Sequence, residues 1–337
     1  MNMKKWCESV CSSPERFAIP IMTHPGIDLI GCRVIDAVTN GEIHYRAIKT
    51  LSEAYPTAAC CTIMDLTIEA EAFGAKILFS EEAIPAVEDQ LLKNAADIVN
   101  LQIPNMTAAR LPELIKACSL AADNITDRPV LGGVIGPYSL ACRLYGMTEL
   151  MIGCMCEPET MHRLLEKCTE FLISYCTRLK TTGINGLVMA EPAAGLISAD
   201  DCKTFSSAYI KQVVEAVQDD DFIFILHNCG TNGHCAQAMA ETGAHGLHFG
   251  NKADMTEVLG KCPQDVLVMG NLNPVEVFLQ SSPEKVFEET MALLNKTAEY
   301  PNFILSSGCD VPPHVPKANI DSFFKALETY NRNQCKS

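Results

Sequence analysis

The sequence predicts an α/β fold, a (β/α)8 TIM barrel, and three observations point to it. Eight short apolar or β-branched runs recur along the chain. Stretches of helical periodicity separate them, and most of the runs end in a polar or metal-ligating residue. Strands alternating with helices imply parallel pairing and right-handed crossovers, and eight such units close a barrel. An open doubly wound sheet is the alternative. It is the weaker one, because no Gly-x-Gly-x-x-Gly turn follows a strand and "GGVIG" (132–136) offers only a loose glycine cluster.

Taken in order, "AIPIM" (18–22) leads to His24, "KILFS" (76–80) to Ser80, Glu81 and Glu82, and "VLGGVIG" (130–136) to Tyr138. "GLVMAE" (186–191) ends on Glu191, and "FIFILHN" (222–228) ends at His227 with Cys229 just beyond. "GLHFG" (246–250) carries His248, "VLVMGN" (266–271) runs to Asn271 and Asn273, and "FILSSG" (303–308) precedes Cys309. Catalytic groups of such barrels come from the C-terminal ends of the strands, so these residues form one polar ring. Helical segments are expected at 47–73, 157–181, 198–217, 233–242 and 283–297. Ser198 before Asp200 and Asp201, and Ser282 before Pro283 and Glu284, are good helix starts. A hydroxyl caps the first free N–H groups and the acids suit the positive end of the helix dipole.

The 337 residues exceed the usual single-core size, yet barrels reach this length as one domain. Composition is that of a globular protein, 48% hydrophobic and 20% charged, without low-complexity or linker tracts. No internal boundary is visible, so residues 1–337 are expected to form a single barrel domain with a helical N-terminal extension. A net charge of −15 with scattered basic residues repels nucleic acid and acidic membrane surfaces. No leader-like apolar stretch follows the first lysines and no run reaches the roughly 18 apolar residues of a membrane span. A cytoplasmic location is expected.

Seventeen cysteines in a long chain without an export signal read as reduced thiols. Many, such as Cys60, Cys61 and Cys154, sit among apolar residues as small hydrophobes. So many oxidisable groups suggest an anaerobic cell.

Side chains two apart on a strand point to one side, so His227 and Cys229 face a common point at the barrel mouth. Nitrogen and sulfur are zinc ligands, and a catalytic zinc takes three protein ligands with one position open. Cys309, on the same rim after the last strand, is the best-placed third. Against this, a cysteine-rich chain generates His-x-Cys by accident. Cys154 and Cys156 have ligand spacing without further ligands and read as packing, while His234 and Cys235 open the next helix. His248 is either a satisfied core histidine or a pocket residue. Glu191 would be costly if buried unpaired, which points to a role in the site.

Several stretches together resemble the uroporphyrinogen decarboxylase superfamily, and within it the corrinoid-dependent methyltransferase branch of the MtaA and CmuA type. They are "LTIEAEAFGAKILFSEEA", "VIGPYSLACRLYG", "EPAAGLISADDCKTFSSAYI", "ILHNCGTNG", "ETGAHGLHFGNKADM", "VMGNLNP" and "SSGCDVPPHVPKANI". The "HNC" stretch with the late "GC" marks the branch. The resemblance implies a uroporphyrinogen-decarboxylase-like barrel with one Zn2+ on His227, Cys229 and Cys309. It implies transfer of a methyl group from a methylcobamide, carried by a partner corrinoid protein, to a small thiol acceptor such as coenzyme M. No Asp-x-His-x-x-Gly cobalamin motif occurs here, so the corrinoid protein would be a separate chain. Glu191, His248, Asn271, Asn273, Tyr138 and His24 would line the substrate site. Related zinc enzymes of this fold often add a glutamate where this chain has Gly250, leaving the fourth position to water, substrate or His248. The runner-up is metal-free decarboxylation of a porphyrinogen. It calls for clustered arginines, where this chain reads "MTHPG" (22–26), and for an "FSD" aspartate, where it has Glu81. A non-enzymatic protein with redox-sensing or structural thiols is the third possibility.

Overall fold

The computed structural model describes residues 1–334 and shows a (β/α)8 barrel. Its strands are β1 (Cys60–Cys61), β2 (Ile77–Leu78), β3 (Ala86–Val87), β4 (Val130–Ile135), β5 (Gly186–Ala190), β6 (Ile223–Asn228), β7 (Gly246–Phe249), β8 (Leu267–Leu272) and β9 (Phe303–Ser307). Seven of them form one parallel sheet in the order β1-β4-β5-β6-β7-β8-β9. The segment around Ala18 closes the ring. Ala18 bridges Leu305 in parallel, and Ala58 N donates to Ala18 O at 2.9 Å from the other side. Pro20 lacks an N–H and breaks this ladder, and Ile21 N donates to the Ser307 hydroxyl instead, at 3.1 Å.

Two expected elements are corrected. "KILFS" is not a barrel strand: Ile77–Leu78 pairs antiparallel with Ala86–Val87 as an outlying hairpin. Its Leu78 is 52% exposed, too wet for a barrel wall, and Glu81 lies out on the surface pairing with Arg33. The second barrel strand is Cys60–Cys61, hidden inside the stretch read as one helix over 47–73. That stretch is a helix at Gly41–Ala54, a strand and a short helix at Ile68–Ala72. Pro56 is the stop signal, since it disfavours helical backbone at Tyr55. The other helices appear near their expected places, at Pro158–Lys180, across 199–217 with a π turn at Lys203–Ser207, and at Ala236–Ala240 and Pro283–Lys296. Ser198 Oγ accepts from Asp201 N at 3.1 Å and Ser282 Oγ from Lys285 N at 3.4 Å.

The barrel interior is a layer of alternate strand residues, among them Ile19, Leu131, Val188, Ile223, Ile225, Leu267, Met269 and Ile304. Their neighbours Leu187, Phe224, Leu226, Val268 and Leu305 face the surrounding helices. Each such buried aliphatic contributes about 1.5–3 kcal/mol. The helix Met3–Ser12 places Met3, Cys7 and Val10 on one face and seals the bottom of this layer. Met3 N donates to Asp220 O at 2.7 Å, just before β6 begins. Hydrophobic side chains thus fill the bottom, and polar chemistry is confined to the top. Among the described residues no cysteine is in a disulfide, and no helix is long and apolar enough to cross a membrane.

Candidate metal centre

The inward set of β6 is Ile223, Ile225 and then His227. A two-residue period carries Cys229 to the same side. After β6 the chain turns sharply because Asn228 Oδ1 accepts from Gly230 N at 3.0 Å and Thr231 N at 3.2 Å. Cys309 arrives just after β9. The ligand atoms of His227, Cys229 and Cys309 lie within 4.8 Å of one another. The imidazole is 3% exposed and both thiols are half-buried.

Behind His227 lies a second ring. His227 Nδ1 is 2.7 Å from His248 Nδ1, His248 Nε2 is 2.8 Å from Ser306 Oγ, and Ser306 Oγ donates to Ile19 O at 2.8 Å. Burial, reinforced by the adjacent His227, holds His248 well below the ordinary histidine range and therefore neutral. Ser306 escaped the sequence reading. Its signal was the same inward parity, two residues after Ile304.

The two thiols share a hydrogen bond that divides their acidities. Cys229 is pulled down by Cys309 S–H against the effect of burial, with Lys252 assisting. Cys309 is pushed up by the same bond and by burial.

Gly250 is the position where a related glutamate was expected, and the structure gives a reason for its absence. A Cβ there would stand 2.7 Å from the Cα and the carbonyl oxygen of Cys229, and one on Gly308 would meet Asn251 N at 2.5 Å. The 250–251 backbone is wedged between the two thiol-bearing turns, so a side-chain ligand at position 250 is sterically barred. A cavity of about 480 Å³ lies alongside. Its wall includes Ile135, Ser139, Arg143, Pro192, Leu196 and Gly230, the last adjacent to Cys229.

Of the other expected pocket residues, His248, Glu191, Asn271 and Asn273 have polar atoms engaged by neighbouring protein groups. His248 has both ring nitrogens engaged behind His227, so neither lining the pocket nor acting as fourth ligand fits its place. Glu191 is buried but not unpaired: it accepts from Tyr138 N at 3.1 Å and Ser139 N at 2.5 Å, at the start of the helix Pro137–Tyr145. Burial outweighs the lowering by the Ser139 and Tyr138 hydrogen bonds and leaves it raised to about 7. Tyr138 is fully buried in the outer core. Asn271 Nδ2 ties the carbonyls of Gly250 (2.9 Å) and Ala253 (2.7 Å), and Asn273 caps the next helical turn through Val275 N (3.0 Å). Short polar side chains at strand ends are what loops use to satisfy their own backbone. His24 is buried with Nδ1 3.3 Å from Asp310 Oδ2, beside Cys309 in sequence, and pairing with Asp310 raises it above its ordinary value although burial opposes this.

The sequence profile described as Uroporphyrinogen decarboxylase (URO-D) matches residues 16–330. The chain is 26% identical to the Methylcobamide:CoM methyltransferase MtbA of Methanosarcina acetivorans, over 86% of each chain. It is 23% identical to the Uroporphyrinogen decarboxylase of Hydrogenovibrio crunogenus, over 87% of this chain and 84% of that one. Among solved structures, a methyltransferase from Methanosarcina mazei superposes with a TM-score of 0.87 over 98% of both chains at 20% identity, which shows a common fold.

Proposed function

From a chain that belongs to the uroporphyrinogen decarboxylase (URO-D) family, we propose a methyltransferase that moves a methyl group from a methylcobamide to a small thiol at a zinc centre on His227, Cys229 and Cys309. The single observation that carries the zinc is the convergence of these three ligand atoms within 4.8 Å, from turns far apart in sequence. A tetrahedral zinc with bonds of about 2.0–2.3 Å sets its ligand atoms roughly 3.5–3.8 Å apart, so a modest contraction seats the ion. The donor set fits as well: one imidazole and two thiols, with no carboxylate in the cluster.

When bound, zinc would supply acidity to an incoming thiol, which is deprotonated outright on coordination. Cys229 and Cys309 would hold it as thiolates and balance its charge, which would leave the acceptor sulfur electron-rich for attack on the methyl carbon, the electron pair of the broken bond staying with the corrinoid. The cavity beside Gly230 receives the acceptor, and the methylcobamide, held by a partner corrinoid protein, meets it from above the rim. We take residues 1–337 as one such catalytic domain, working in the cytoplasm of an anaerobic cell.

A tetrapyrrole rich in carboxylates would call for clustered arginines. Arg143 is the single arginine lining the cavity among the described residues, which favours methyl transfer over decarboxylation. The test incubates anaerobically purified protein with methylcobalamin and candidate thiols, and with uroporphyrinogen in parallel. Thioether formation with release of demethylated corrinoid is expected. Decarboxylation without thioether would contradict the reading.

A further inference from the structure

With both imidazoles neutral, the hydrogen bonds behind His227 admit one placement of protons. Ser306 has a single hydroxyl hydrogen, and its Oγ stands 2.8 Å from the Ile19 carbonyl, a group that only accepts. The hydroxyl donates there and therefore accepts from His248 Nε2, 2.8 Å away. A neutral imidazole has one N–H, so His248 Nδ1 is bare. That bare nitrogen lies 2.7 Å from His227 Nδ1, which must carry the proton of its own ring. What remains on His227 is an unprotonated Nε2.

We propose that His248 and Ser306 are positioning residues that lock His227 in its Nδ1–H tautomer and so present Nε2 to a divalent metal shared with Cys229 and Cys309. The inference rests on the reading of those three residues as a metal site. The lock begins at the barrel backbone, in the Ile19 carbonyl, and every member is buried, so water does not substitute for a lost partner. The rings meet edge-on at 77° with centroids 4.5 Å apart, which also fixes the plane of His227. Metal-ligating histidines commonly give their second N–H to a carboxylate or carbonyl. Here the receiver is a neutral imidazole, which orients the ligand without adding negative charge to a centre that already holds two thiolates.

Nitrogen-15 spectra of the metal-free, histidine-labelled protein read the tautomers without any turnover. The expected pattern is Nδ1–H with bare Nε2 for His227 and the opposite for His248. A wild-type His227 protonated at Nε2, or averaging between both forms, overturns the lock. Competition against a chelator gives the second readout. Ser306→Ala is expected to weaken zinc binding about 10- to 100-fold, and Ser306→Thr, which restores the hydroxyl, to return it to within about threefold of wild type. Ser306→Ala with wild-type affinity and an unchanged His227 pattern overturns the proposal. If that variant does not fold, the wild-type spectra decide. The expected pattern in a protein that takes up no zinc would instead overturn the metal-centre reading and leave the tautomer lock supported.

Discussion

Two pairs of cysteines, Cys229 with Cys309 and Cys202 with Cys235, are built alike and placed differently. In both, one thiol hydrogen-bonds to the other, lowering the acceptor's pKa and raising the donor's. Acidity therefore does not distinguish them. Surroundings do. Cys202 and Cys235 are 1% and 0% exposed, with sulfurs resting on Ser207 Oγ at 3.9 Å and the Ala194 carbonyl at 3.7 Å. The nearby His234 touches Cys235 but has both ring nitrogens engaged, Nε2 on Ile197 O at 2.9 Å and Nδ1 on Asn232 Oδ1 at 2.8 Å and Thr231 Oγ1 at 3.1 Å. Cys229 and Cys309 are half-buried and converge with His227, and Gly230, next to Cys229, lines a cavity. A third converging ligand atom and a neighbouring cavity separate a candidate metal centre from a packed dithiol.

The largest expected effect breaks this contrast at the site itself. Cys229→Ala or Cys309→Ala removes one of three ligands, and zinc affinity falls well beyond the roughly 100-fold that loss of a supporting residue costs. Methyl transfer to a thiol falls with it, so metal content and rate measured on the same preparation must drop together. A variant that keeps both places the chemistry elsewhere. The smaller effect comes from the other pair. Cys202→Ala or Cys235→Ala leaves metal content and rate at wild-type values and lowers stability by about 1 kcal/mol through lost packing, read from the denaturant midpoint. Loss of zinc from these variants would erase the distinction between the pairs.

The barrel was legible because its walls repeat: β4 to β9 fall within a residue or two of the apolar runs that announce them. Cys60–Cys61 was not, because two small thiols flanked by alanine and threonine resemble a helix as much as a strand, and Leu78 with Phe79 offered a more apolar decoy. The convergence of His227, Cys229 and Cys309 was legible from strand-end position, aided for the first two by parity. Glu191, Asn271 and Asn273 stand at strand ends too, but their polar atoms serve backbone N–H and carbonyl groups, and sequence does not tell a loop brace from a ligand contact. Ser306 was missed because a serine inside a strand carries no chemical signature until its partners, 58 and 287 residues away, are in place.

X-ray absorption at the zinc edge of anaerobically purified protein tests the central claim most directly. The account predicts one equivalent of zinc with two sulfurs at about 2.3 Å, a nitrogen at about 2.0–2.1 Å and one further light atom, which a third sulfur replaces when the thiol acceptor is added. Protein free of stoichiometric metal, or zinc surrounded by oxygen alone, would contradict it.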